Sequence, residues 1–451
     1  MAVVDTTIIT IALPSIRREL GFTGADAQWI LNGYALTFGG LVLLLGRAGD
    51  LYGRRRLFVV GLALFAVASL VGGFSWEPWI LVFARFLQGV GAAALVPASL
   101  SLLTATFAEG EERNRAIGVY GAMAALGFVV GMVGGGVITE YLGWRWVLFV
   151  NVPVALATLV PSPAALAESR DERAPRSLDL AGALTATSGL GLLIYAISEV
   201  PENGWTSTAT LGFGALGVSF MACFVVAERH TSAPLVPPGV LRKPAVVVSN
   251  AAIFLQSMVG IAWLYVLTLY LQEVLGHSAL TAGLLFIPMT LASVVAAPVA
   301  GRLATRIGER TTASSGLALV AMGLVLMTLI SVEGGLVFVL LGMVVGEIGF
   351  MLSNVPLTIV GSGSAGEDER GLAAGLLNTS IQLGNAWGLG VVATVVAAVT
   401  SALGGDSGGA EALVSGLRWG LYACVGFAML ALPLVLIRLP SRTEEVGRSV
   451  G

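Results

Sequence analysis

GRAGDLYGRRR, residues 46–56, is a polar connection between two long apolar runs, and the chain repeats it downstream as GRLATRIGERT, residues 301–311. Glycine recurs in register at the first and eighth positions, Gly46 with Gly301 and Gly53 with Gly308, and arginine at the second, Arg47 with Arg302. A match between corresponding loops is what internal duplication leaves in a chain, so the sequence reads as two halves on one plan. In the first copy Gly46, Gly49 and Gly53 permit a tight turn with close backbone approach. Asp50 and the cluster Arg54, Arg55 and Arg56 can pair with each other or with a neighbouring helix end. Such a pairing locks one conformation and releases in another, which makes Gly46, Asp50, Gly53, Arg54 and Arg55 a candidate gate. Plain anchoring by the arginines is the simpler reading.

The sequence around these loops is apolar to a degree that decides the class. Of 451 residues, 56% are hydrophobic and 11% charged, against about 45–50% and about 25% in an ordinary soluble chain. Runs long enough to approach or cross roughly 30 Å of hydrocarbon as helices fall at 2–16, 27–45, 57–74, 79–105, 115–138, 144–163, 178–198, 207–227, 245–271, 279–300, 313–331, 335–360, 371–400 and 413–438, fourteen in all. They are too long and too continuous for barrel strands, so the expected class is an all-α integral membrane protein. A net charge of -3 scattered over short loops gives no surface for nucleic acid. Cys223 and Cys424 stand alone in apolar runs, without the spacing of a disulfide framework or a metal centre. The chain has no GxxxxGK[ST] loop for nucleotide hydrolysis, so no cofactor is expected and enzymatic activity is not. Its first residues lack a basic segment and a small-residue cleavage site, and read as a span rather than a secretory signal.

Basic residues orient such a chain, because cytoplasmic loops carry the excess of Lys and Arg. Of 24 Lys and Arg, nineteen fall after even-numbered runs, in two polar linkers and in the C-terminal tail. Only Arg17, Arg18, Arg145 and Arg418 fall on the opposite side, so both termini are expected inside. Arg85 belongs to neither side, because it sits within the fourth run. The linkers, AESRDERAPRSLD (167–179) and AERHTSAPLVPPGVLRKP (227–244), bracket runs seven and eight, which look like an insert. The expected division is a six-helix bundle over 1–163, cytoplasmic linkers with two inserted spans over 164–244, and a six-helix bundle with a short tail over 245–451.

Charges inside the apolar runs mark function. In FARFLQGVGAAALVPAS (83–99), Arg85, Gln88 and Gly89 share one helical face. An arginine in mid-membrane costs at least about 2.5 kcal/mol, so it should face the protein interior and meet an acceptor. Asp5, in VDTTIITIALPSI (4–16), is the nearest by type; a purely structural brace is the plainer alternative. In GFVVGMVGGG (127–136), Gly127, Gly131 and Gly135 form a four-residue ridge, followed by Gly136, against which another helix can pack. GWRWVLFVNVP (143–153) then places Asn151 just before Pro153.

These four stretches, their order and the two extra central runs resemble the major facilitator superfamily, specifically its fourteen-span drug:proton antiporters. The resemblance implies two six-helix bundles around a cavity, plus two extra central helices, with alternating access and export of amphipathic drugs against protons. It assigns Asp5 to protonation or cation recognition, Asp50 and Arg54 to the cytoplasmic gate, Arg85 and Gln88 to proton coupling, and Gly127, Gly131, Gly135 and Gly136 to the antiporter helix. Three departures follow. Met132 stands where that helix usually has proline, which keeps a facilitator or symporter open. Leu51 replaces a usual arginine in the gate, and Thr305 replaces the acid in its second copy.

A second embedded acid, Glu347 in GMVVGEIGFMLSNVPLT (342–358), is this chain's own feature and a candidate proton or cation site. A structural carboxyl bonded to a neighbouring backbone group is the alternative. Asn354 lies two turns along the same face; Asn32, Asn151, Gln256, Asn378, Gln382 and Asn385 are further polar positions that could line a cavity. The expected partners are an amphipathic small molecule, protons and membrane lipid, for a monomer in the cell membrane. A dedicated exporter of one metabolite or self-made antibiotic shares every motif, and a non-transporting membrane sensor is the alternative of another class. From Ala2 to Ile16 the first run makes only about 22 Å of helix, so either the true start lies upstream or Asp5 is unusually shallow.

Overall fold

The computed structural model describes residues 1–22, 26–107, 111–169, 179–231, 234, 243–363, 370–404 and 409–439. All regular structure among them is helical, as it must be where no water can satisfy a free backbone group. The chain divides into two units, one comprising Met1–Glu199, Asn203–Leu235 and Ser278–Leu284, the other Val200–Glu202, Val236–His277 and Leu285–Gly451.

The first unit contains α1 (Ala2–Leu20), α2 (Trp29–Tyr52), α3 (Arg54–Gly73), α4 (Pro78–Thr106) and α5 (Glu111–Tyr141), then three short pieces, α6 (Arg145–Phe149), α7 (Asn151–Leu159) and α8 (Ser162–Ala165). It continues with α9 (Leu180–Ser198) and α11 (Thr208–His230), separated by α10 (Val200–Asn203), whose first residues cluster with the other unit. Small residues let these helices approach closely. Gly61 of α3 and Gly91 of α4 cross so tightly that a Cβ on either would lie 2.9 Å from the other's carbonyl oxygen. Gly189 and Gly217 bring α9 and α11 together in the same way, at 3.1 and 3.0 Å.

The second unit is built from α12 (Pro244–Leu269), a π-turn (Tyr270–Val274), α14 (Ile287–Ile307), α15 (Glu309–Met327), α16 (Leu336–Gly363), α17 (Arg370–Ala402) and α18 (Gly409–Arg438); α13 (Ala279–Leu285) clusters with the first unit. Its buried core draws Ala252 and Ile253 from α12, Leu317 from α15, Leu357 from α16, Leu377 from α17 and Ala431 from α18.

Helix occupies every one of the fourteen apolar runs, and eleven of the resulting helices or helix groups are long and apolar enough, among the described residues, to cross a membrane. The other three runs lie in α1, α2 and α5. Two boundaries move. The sixth run is three pieces, with Pro153 and Pro163 near the starts of α7 and α8. The first run continues to Leu20, because its polar last turn is capped by Gly21 in the left-handed region. At 19 residues, α1 is about 28 Å long.

Candidate functional site

The two copies of the loop that opened the analysis fold alike. Gly53 has φ +116° between α2 and α3, and Gly308 has φ +91° between α14 and α15, backbone that only glycine adopts readily. The charges of the first copy make specific contacts. The arginines turn to the end of α8: Arg55 Nη1 donates to the Pro163 and Leu166 carbonyls, each at 3.1 Å. Arg55 and Arg56 also pair with Glu168, at 3.7 and 3.8 Å, and the Arg55 N–H donates to the same carboxylate. Of the pairings considered for this cluster, the one with a neighbouring helix end is made by Arg55. The Asp50 side chain lies outside the described residues. Glu168 went unrecognised because it belongs to a linker more than a hundred positions away. Gly46 packs against Pro97 of α4.

Inside the first unit α1, α4 and α7 bring four polar residues together. Asp5 and Arg85 are fully buried and form an ion pair through Asp5 Oδ2 and Arg85 Nη1. Gln88, one turn on from Arg85, accepts from Arg85 Nη1 at 2.7 Å and donates through Nε2 to Asp5 Oδ1 at 3.2 Å and Ser69 Oγ at 2.8 Å. Asn151 Nδ2 donates to Asp5 Oδ1 at 2.8 Å. Arg85 Nε donates to the Ile30 carbonyl at 2.7 Å, and its guanidinium lies 4.7 Å from the Tyr34 ring centre. One corner, Arg85 Nη2, has no hydrogen-bond partner among the described residues. Asp5 is fully enclosed by protein. Ser69 and Tyr34 were not anticipated, because a serine or tyrosine in an apolar run carries no charge to betray it.

The glycine ridge positions this cluster. Gly127, Gly131 and Gly135 of α5 face Val4, Thr7 and Ile8 of α1, and a Cβ on Gly131 would lie 2.9 Å from the Val4 carbonyl oxygen. The ridge lets α1 lie on the α5 backbone either side of Asp5. Gly136 instead faces Ala279 and Leu280 of α13, and the Met132 carbonyl meets Gly283 of that helix. At the opposite end of α1, Glu19 accepts from Trp144 Nε1 at 2.7 Å and pairs with Arg145, whose hydrogen bond holds the carboxyl below the usual carboxylate range.

The remaining polar positions stand apart. Asn32 is fully buried on α2, and neither its amide oxygen nor its nitrogen has a partner among the described residues. In the second unit Glu347 of α16 is 8% exposed and hydrogen-bonded by Ser293 of α14. Gln256 of α12 donates to the Phe350 carbonyl at 2.8 Å and Ser353 Oγ at 2.7 Å. Asn354, Asn378, Gln382 and Asn385 are half-buried.

The many apolar helices are those of a multi-pass membrane protein, and the family match makes it a transporter rather than an enzyme. The chain belongs to the major facilitator superfamily, whose family model matches residues 1–389. It is 37% identical to the puromycin resistance protein pur8 of Streptomyces alboniger, covering all of this chain and 91% of that one. It is 40% identical to the cephamycin export protein CmcT of Amycolatopsis lactamdurans (89% and 83% covered) and 33% to the multidrug resistance protein Stp of Mycobacterium tuberculosis (89% and 74%). A bacterial homologue of the human lysosomal transporter Spinster, solved inward-facing and occupied, shares the fold at a TM-score of 0.64 and 17% identity, over 97% of this chain and 93% of that one.

Proposed function

We propose that this transporter exports amphipathic small molecules, cationic ones among them, from the cell in exchange for protons. In this reading fourteen spans cross the cell membrane with both termini cytoplasmic; two six-helix bundles, 1–163 and 245–451, flank the linkers and inserted spans of 164–244, and a monomer works by alternating access without a cofactor. The observation that carries it is the buried Asp5–Arg85 pair with Gln88 and Asn151. A carboxylate so enclosed changes its protonation only if its net of donors rearranges, which ties the proton to a conformational change. Asp5 is the coupling carboxylate and Arg85 its counter-charge; Gly46, Asp50, Gly53, Arg54 and Arg55 serve as cytoplasmic gate, and Gly127, Gly131, Gly135 and Gly136 pack the antiporter helix. One elementary charge crossing 100 mV is worth about 2.3 kcal/mol. At about 1.4 kcal/mol per tenfold, that supports a gradient of roughly fortyfold for a neutral substrate.

The test is proton release from vesicles on addition of a cationic dye. Asp5→Asn and Arg85→Ala are each expected to abolish it; an unchanged response in both sinks the assignment. A second reading, a dedicated exporter of one compound, is favoured by relatives named for puromycin and cephamycin. Competition between chemically unrelated compounds separates the two.

A further inference from the structure

The two embedded carboxylates are built for different tasks. Asp5 already has its counter-charge: Arg85 engages Oδ2, while Gln88 and Asn151 both donate to Oδ1. An arriving cation would meet a carboxylate whose charge is balanced. Glu347 is buried almost as deeply, yet Ser293 is its one identified hydrogen-bond partner and no ion pair to it exists among the described residues.

Nor do the described helices of the second unit supply the missing charge. Between Pro244 and Leu269, α12 has no ionisable cation, and α16 has no charge other than Glu347. Along α14 the first cation is Arg302, nine residues past Ser293 and so about 13 Å away along the axis. The charges of α15, Glu309 and Arg310, sit in its first turn; α17 has only Arg370, at its start. On α18, Glu411 and Arg438 lie near the ends, and Arg418 is committed to the Ile330 carbonyl. A buried carboxylate without a fixed counter-charge takes its compensation from what comes and goes, a proton or a ligand.

The surroundings of Glu347 fit an organic cation. Phe350 and Asn354 follow it at three and seven residues, on the same face of α16, and both are half-buried. Opposite Phe350, α12 presents Gly260, where a Cβ would lie 3.7 Å from the Phe350 ring and 3.3 Å from Asn385 Oδ1. Gln256 spends its Nε2 on α16 and leaves Oε1, fully buried, without a partner among the described residues. Carboxylate, aromatic ring and amide oxygens together are what recognises an aromatic ammonium or phosphonium.

We infer that Glu347 is the residue that selects cationic over neutral substrates, in a site it forms with Ser293, Phe350 and the amides of Gln256 and Asn385, while Asp5 does not touch the substrate. This rests on the export reading above and names its substrate-selecting residue. The test is equilibrium binding of tetraphenylphosphonium and of neutral triphenylphosphine oxide to the purified protein. Glu347→Gln is expected to lower the affinity for the cation at least tenfold relative to the neutral probe. Glu347→Asp should regain part of that selectivity, and Ser293→Ala should fall in between. The inference is overturned if the wild type does not bind tetraphenylphosphonium, if the ratio is the same in wild type and Glu347→Gln, or if a monodisperse Glu347→Gln protein loses both probes in parallel. Proton release that persists in Asp5→Asn, with this selectivity intact, would overturn the coupling reading and leave Glu347 as the cation site.

Discussion

Arg85 shows what a single charged side chain demands inside a membrane protein. Its Nη1 reaches both Asp5 and Gln88, its Nε reaches the Ile30 carbonyl, and Nη2 has no partner among the described residues. Replacing it by methionine leaves Asp5 buried without compensation, a change that costs about 3–5 kcal/mol where a buried pair loses one partner. Removing both charges is milder. Thermal unfolding in detergent should therefore show Arg85→Met strongly destabilised and the double variant Asp5→Asn with Arg85→Met recovering at least half of the loss. If the double variant melts as low as the single, Arg85 acts as a brace on the Ile30 carbonyl and its charge is incidental. This pairing was legible in the sequence, because Asp5 and Arg85 are the only charges within the first and fourth apolar runs and each needs the other. The contributions of Ser69 and Tyr34 were not, since neutral residues owe nothing to a specific partner until helices are packed.

At the scale of elements, the duplicated turn was readable as a turn, while the difference between its copies was not. Gly53 and Gly308 share a backbone region that costs other residues about 1–3 kcal/mol. Around Gly308 there is open space, whereas a Cβ on Gly53 would lie 2.6 Å from a Glu168 carboxylate oxygen. Gly53→Ala is thus expected to lower both stability and transport more than Gly308→Ala, as measured by melting temperature and efflux in the same cells. Equal effects would mean that backbone strain alone matters and that the Glu168 contact is dispensable. Helix positions followed directly from apolar run lengths, but breaks such as that at Val150, ahead of Pro153, did not, because proline is tolerated inside α1, α4, α14, α16 and α18 as well. Proline interrupts a membrane helix only where neighbours fail to re-satisfy the freed carbonyls.

At the scale of the whole molecule, the repeat legible in the loops carries over to the folded turns but not to the charges. The first half places its carboxylate on α1 against an arginine on α4, and the second places its own on α16 against a serine on α14. Duplication supplied the frame, and divergence assigned each half a different electrostatic task. The linker after α8 shows how the frame is also read from outside the membrane. The first four N–H groups of a helix normally have no backbone partner. Here Arg54 N–H donates to the Ser169 carbonyl and Arg55 N–H to Glu168, at the very start of α3. Deuterium uptake at those two amides should be slow while the linker stays seated and fast once it lifts. Uptake unaffected by Glu168→Gln would show that the linker does not guard them. The opening residues of α3 are in this sense a built-in clock for linker docking, one that can be followed during turnover without attaching a probe.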